Sequence, residues 1–425
     1  MKAQTMPEVV RYFHPLRALR GDELRAWYIE RPGDPLKRMR IYLQGLDSSN
    51  EPTRILFTGH IGSGKSTALN KLAVELKNQF FIVPFDVQQA GSFADLHYID
   101  VLLGIATSLF RRATEPDVLG KAPAQVATDF WADLLGFFEN VILGPARFQP
   151  NVGQMEASAK INFLAIEFQT KLASEAVTRH TVREAVETRL SDLLERIDSV
   201  ADRIRISYKR PVLFFVEGTD KADLARARDI FVDHTYALTA FRASVIYTFP
   251  ISLRYSKADF SQIAERFTET FVLPNLKISD KDGSPDEDGL ACLRSAMRVR
   301  MEDELIEQDA RDRIIAASGG LMRSLIRLTQ RAAVNAIADG RNRIDVSATE
   351  AAIDEERADF IAGLSRDDYP LLLARHRDKQ LSGDDDVLRL LHARALLEYA
   401  NGEPWCDVHP VALKVVLERT GPPET

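Results

Sequence analysis

The chain has 425 residues, 45% hydrophobic and 28% charged, enough for two to four domains with sizeable cores. Its 62 acidic residues exceed 55 basic ones, for a formal net charge of −7, which excludes a global basic field; nucleic-acid contact would have to be local or built by assembly. The only two cysteines, Cys292 and Cys406, exclude a disulfide scaffold and point to a reducing compartment.

No apolar leader opens the sequence and no run reaches membrane-spanning length, so a soluble, cytoplasmic protein without membrane contact is expected. Residues 1–50 are polar with helical patches, the last over 36–43. Residues 54–58 read as a buried strand and 67–76 as an amphipathic helix. Between them Gly59, His60, Ile61, Gly62, Ser63, Gly64, Lys65, Ser66 and Thr67 match GxxxxGK[ST]. That strand–loop–helix context makes the pattern a phosphate site. Glycines let successive N–H groups point at one phosphate, and the helix N-terminus adds about half a positive charge. Lys65 is expected at the β- and γ-phosphates and the Ser66 hydroxyl on Mg²⁺. The sequence therefore predicts binding of a nucleoside triphosphate.

Further strands are expected at 80–85, 212–216, 244–249 and 270–273, with a helix near 98–110 entered through Ser92 and Asp95. Short apolar runs separated by helices predict a parallel sheet covered on both faces. An insertion, residues 111–209, carries apolar spacing at Val182, Val186, Leu190, Leu193, Ile197, Val200 and Ile204. Thr181 and Glu184 suggest a capping box at its start. With the stripe Ile161, Leu164, Phe168 and Leu172 it predicts a helical hairpin or short coiled coil, read first as a structural arm and second as a partner contact. The acidic stretch 280–289 lacks the spacing of a calcium loop and reads as a solvated linker. Residues 290–362 read as helical. In 363–425, helices near 369–376 and 387–395 precede a hairpin turning at Asn401 and Gly402, with Pro404 confining its second strand to an edge. That pattern suggests a winged-helix-like module. Cys406, His409 and His392 offer too few ligands for structural zinc.

A phosphate-loop ATPase also needs a carboxylate at the end of an apolar strand. Residues 212–216 run into Glu217, Gly218, Thr219 and Asp220. Glu217 takes the Mg²⁺ side, through water, and Asp220 is the nearest carboxylate for the attacking water. Glutamate where aspartate is usual places the carboxylate roughly 1.5 Å farther out, and a displacement near 1 Å costs on the order of a hundredfold in rate. A slow ATPase and a site that binds without cleaving both fit. Thr248, at the tip of the fourth strand, either orients the lytic water or caps the strand end.

These motifs, with Ser318, Gly319, Gly320 and Arg323, resemble the AAA+ and STAND branch of P-loop ATPases over roughly residues 28–353. The acidic motif is similar to the D-G-x-D form of NACHT-type signalling ATPases, and the Gly-Gly-x-x-Arg helix start to the sensor-2 segment of replication initiators. The resemblance implies an α/β P-loop NTPase core, residues 51–278, with the sheet order 5-1-4-3-2. It also implies a helical lid at 290–362, ATP and Mg²⁺ as ligands, and a homo-oligomer whose neighbours complete each site. Arg323 is then expected at the γ-phosphate, and Tyr28 and Arg31, from the segment 1–50, near adenine. Arg266 is the first choice for an arginine finger and Arg254 the second. The expected function is an oligomerising ATP switch, hydrolysing slowly, that regulates a protein effector, similar to components of bacterial regulatory or phage-defence systems. A DNA-binding initiator or loader is the alternative, with nucleic acid as partner, and a small-molecule kinase is a third reading.

Overall fold

The computed structural model describes residues 2–33, 35–46, 51–89, 91–113, 136, 163, 166, 170 and 174–420. Five strands form a parallel sheet: β1 (Arg54–Thr58), β2 (Phe81–Asp86), β3 (Val212–Glu217), β4 (Ser244–Phe249) and β5 (Glu269–Val272). Their order is β2-β3-β4-β1-β5, the 5-1-4-3-2 arrangement, and every pairing is parallel. Burial follows position in the sheet. Central β3 and β4 are buried at every residue, whereas edge β2 alternates, as expected where helices cover both faces of the inner strands. The chain is thus an α/β protein with a P-loop NTPase core.

Period-two alternation divides the strand side chains between two cores. Leu56, Val83, Phe214, Val245 and Tyr247 face one side, covered by α5 (Tyr98–Ala113), α6 (Ala176–Glu187) and α7 (Leu190–Tyr208). Ile55, Phe57, Leu213, Phe215 and Ile246 face the other, covered by α3 (Pro35–Leu46) and α4 (Lys65–Leu76). Helices α1 (Met6–Tyr12) and α2 (Gly21–Trp27) precede these.

The continuous apolar spacing over 182–204 resolves into two helices broken at Thr188 and Arg189. The expected capping box is not formed. The helix already begins at Ala176, so Thr181 sits inside it and its hydroxyl donates to the Val177 carbonyl at 3.1 Å. Arg183 ties α6 to the core, reaching Asp100 at 2.5 Å and Asp95 at 3.2 Å. The stripe Ile161, Leu164, Phe168 and Leu172 lies outside the described residues.

After β4 come α8 (Ile251–Tyr255) and α9 (Lys257–Ala264). The acidic stretch forms a turn in which Lys277 pairs with Asp280 and Asp286, and Asp286 caps α10 (Glu287–Arg298). A helical unit follows with α11 (Gln308–Ser318), α12 (Met322–Ala338) and α13 (Val346–Ile361). Its core takes in Ala3, Met6, Val9 and Phe13 from the chain start, and the Ala3 amide donates to the Arg300 carbonyl at 2.8 Å.

The last portion runs α14 (Asp368–Asp378), α15 (Asp385–His392), the antiparallel pair β6 (Leu396–Asn401) and β7 (Glu403–Val408), then α16 (Pro410–Arg419). The His409 ring caps α16 by accepting from the Val411 amide, and the Cys406 thiol donates to the Gln380 carbonyl. No helix among the described residues is long and apolar enough to cross a membrane.

Candidate nucleotide-binding site

The loop between β1 and α4 curls because Gly62 and Gly64 hold φ of 97° and 108°, a left-handed backbone that glycine adopts without a Cβ penalty. A Cβ on Gly62 would come within 2.8 Å of the Arg323 Cβ, so lid and loop meet too closely for any side chain there. The N-terminus of α4 opens into a cavity of about 350 Å³. Six cationic side chains line it (Arg17, Arg20, Lys65, Lys221, Arg300 and Arg323) against three carboxylates, Asp86, Glu217 and Asp220. A positive excess around a helix N-terminus fits a polyphosphate.

Lys65 is buried, and its ammonium reaches Asp220 Oδ2 at 2.7 Å and the carbonyls of Gly59 and His60 at 2.6 and 2.9 Å. Burial alone would raise the Asp220 carboxyl, yet Lys65 beside it holds it below its ordinary value. Burial pushes Lys65 down, with Asp220 opposing. The Thr248 hydroxyl helps hold the Asp220 carboxyl down and lies 3.2 Å from the Thr219 hydroxyl, which also donates to the Thr248 carbonyl. Thr248 thus touches the acidic motif directly.

Burial raises Glu217, opposed by the Ser66 hydroxyl and reinforced by the Asp86 carboxylate. Asp86 ends β2 in register with Glu217, so two carboxylates stand side by side at the carboxyl ends of neighbouring strands. Together with the Ser66 hydroxyl they form a hard-oxygen set suited to Mg²⁺, which keeps several waters and a few protein ligands. Asp86 was legible as the first carboxylate after the apolar run of β2; ending that strand at Phe85 left it out.

Arg323 starts α12, its amide donating to the Gly62 carbonyl at 3.0 Å. Burial holds its guanidinium below its ordinary value. Tyr28 and Arg31 line a smaller adjoining cavity of about 50 Å³ with Leu19, Trp27 and Ala68. Arg31 also donates to the Ser63 carbonyl. Ile61, Gly64, Ser66 and Thr67 line the main cavity, whereas Gly59 lies against the Leu273 carbonyl and the Ser63 side chain is buried. Arg266 does not line this cavity; its guanidinium lies over the exposed Tyr236 ring at 5.8 Å.

His60 faces away from the cavity. Its Nε2 accepts from the Glu398 amide of β6 at 2.7 Å, so the phosphate loop is bonded directly to the C-terminal hairpin. Burial, helped by Lys65, pushes the His60 ring down to about 3, and burial does the same to His409. A ring neutral when folded but protonated below about pH 6.5 when unfolded contributes stability that is complete above that pH and lost as pH falls. His60→Gln keeps an acceptor for Glu398. It should flatten the acid slope of stability by about 1.4 kcal/mol per pH unit between about pH 6 and pH 4. Denaturant unfolding across a pH series checks this; equal slopes in the two proteins would contradict a buried neutral ring.

No family model matches the chain, and no curated protein matches it. Solved structures do. The Aeropyrum pernix ORC2 protein in its ADP form is 13% identical with a TM-score of 0.45, over 96% of this chain and 96% of that one. Cdc6p from Pyrobaculum aerophilum is 12% identical with a TM-score of 0.40, over 96% and 97%. The Walker-type ATPase PABY2304 of Pyrococcus abyssi is 12% identical with a TM-score of 0.45, over 95% and 99%. At this level of identity the likeness assigns neither activity nor partner.

Proposed function

We propose that the chain is a Mg²⁺-dependent, AAA+-type ATP switch that turns over slowly. One observation carries the reading: the glycine cradle, Lys65, the Ser66–Glu217–Asp86 oxygen set and Arg323 from the helical lid converge on one cavity. Amides of the loop and the Lys65 ammonium bind the phosphates. Tyr28 and Arg31 border the cavity suited to the base. Ser66, Glu217 and Asp86 would hold Mg²⁺, which would supply charge neutralisation to the phosphates. Lys65 leaves Asp220 for the phosphates, which frees that carboxylate to orient water. Hydrolysis then forms a bond from water oxygen to the γ-phosphorus and breaks the γ-phosphorus bond to the bridging oxygen. ADP keeps that electron pair and Asp220 takes the proton.

The switch follows from what holds the loop. The lid bonds it at Gly62 and the C-terminal hairpin bonds it at His60, so a filled cradle is felt by both, and through them by a protein effector or a second copy of the chain. A DNA-binding reading would use α15, the helix before the hairpin. That helix is spent on packing: Val387, Leu388, Leu390 and Leu391 are buried, Asp385 pairs with Arg228 at 2.7 Å, and its first turn is acidic, which repels a phosphate backbone.

Turnover of ATP with Mg²⁺ tests the reading. Glu217→Gln should lower it by roughly 10–100-fold while leaving binding of a triphosphate analogue in place. Equal rates for the two proteins would remove Glu217 from the metal site.

A further inference from the structure

The segment from His14 to Arg20 lines the cavity and is fastened to the helix that forms the cradle. The Leu19 amide donates to the Thr67 hydroxyl at 3.2 Å, and the Asn70 side chain donates to the Leu19 carbonyl at 2.9 Å. Leu19 itself is buried with Leu24 and Trp27. The residue next to this anchor is therefore held close to the helix that follows the phosphate loop.

That residue is Arg20. It lines the cavity together with Glu217. The neighbouring arginines are committed elsewhere. Arg17 pairs with Glu23 at 3.0 Å; Arg300 is buried, donates to the Ala296 carbonyl at 2.7 Å and lies over the Trp27 ring. The Arg20 carbonyl accepts from the Leu24 amide at 3.3 Å, and among the described residues its guanidinium makes no hydrogen bond or ion pair. Neither Arg266 nor Arg254 lines the cavity.

We propose that Arg20 is a catalytic residue acting in cis, its guanidinium meeting the γ-phosphate of a nucleoside triphosphate held by the cradle of the same chain. This rests on the nucleotide reading above. Arg20 takes no proton. It donates hydrogen bonds to the oxygens on which charge gathers as the bridging bond breaks, the role an arginine from a neighbouring subunit fills elsewhere. A site completed this way needs no second chain for chemistry, which leaves oligomerisation free to serve signalling.

The test compares wild type with Arg20→Ala and Arg20→Lys, titrating each with a non-hydrolysable ATP analogue and with ADP. Arg20→Ala should lose roughly tenfold or more in affinity for the analogue and leave ADP affinity unchanged, with Arg20→Lys in between. Turnover should fall on the order of a thousandfold in Arg20→Ala. Mixing Arg20→Ala with Lys65→Met, which keeps Arg20 but loses the phosphate-binding lysine, should restore nothing. An unchanged analogue-to-ADP ratio in Arg20→Ala, or recovery of turnover in the mixture, would overturn the inference while leaving the nucleotide site intact. A wild-type chain that binds neither nucleotide would sink both.

Discussion

Replacing Gly320 with alanine should cost about 3 kcal/mol or more of folding stability and weaken nucleotide binding with it. Gly320 holds φ of 79°, where an L-residue pays roughly 1–2 kcal/mol. Steric contact costs more: a Cβ there would fall 1.6 Å from the Leu276 carbonyl oxygen. That oxygen belongs to backbone and cannot swing aside, so the start of α12 must shift. Arg323 and its amide bond to Gly62 ride on that helix, which turns a packing fault into a lid fault. Gly340 supplies the control. It holds φ of 72° but a Cβ would meet nothing within 4 Å, so Gly340→Ala should cost the backbone penalty alone and leave binding unchanged. Urea unfolding of both variants isolates the clash; equal losses would refute the close approach.

The second large effect concerns the pair beneath the cradle. Lys65 and Asp220 have side chains only 5% and 4% exposed. Removing one member of such a pair leaves the other buried and uncompensated, at about 3–5 kcal/mol. Asp220→Ala should therefore unfold at distinctly lower denaturant without nucleotide. Phosphate then supplies the missing anion, so the stabilisation gained from Mg²⁺ and a triphosphate analogue should exceed the wild-type gain, about 2.7 kcal/mol at a hundred dissociation constants of ligand. Wild type must first break its own pair to bind. Turnover should be lost in the variant, because the carboxylate that orients water is gone. Denaturant midpoints with and without analogue measure both claims, and an apo midpoint equal to wild type would deny the buried pair its role.

The sheet was readable because its information is local. Strands β1 and β4 fall on residues 54–58 and 244–249 as their short apolar runs predict, and the phosphate loop declares itself by glycine spacing. The insertion was less readable: Val186, Leu190 and Leu193 keep helical spacing across Thr188 and Arg189, so nothing in the pattern marks the turn there. What the sequence hides is contact at long separation. His60 meets Glu398, 338 positions later, and Ala3 joins the lid backbone at Arg300. Arg20 sits in no motif, and only the fold of the first helices onto α4 brings it to the cavity.

The lid bonds the loop at Gly62 and the hairpin bonds it at His60, and titration calorimetry of the chain with Mg²⁺ and a non-hydrolysable ATP analogue examines that loop directly. Wild type should bind with one site per chain, and Lys65→Met, checked for retained helical content, should bind at least roughly tenfold more weakly. Absence of binding in wild type, or equal affinity in the two proteins, would contradict a nucleotide held in this loop.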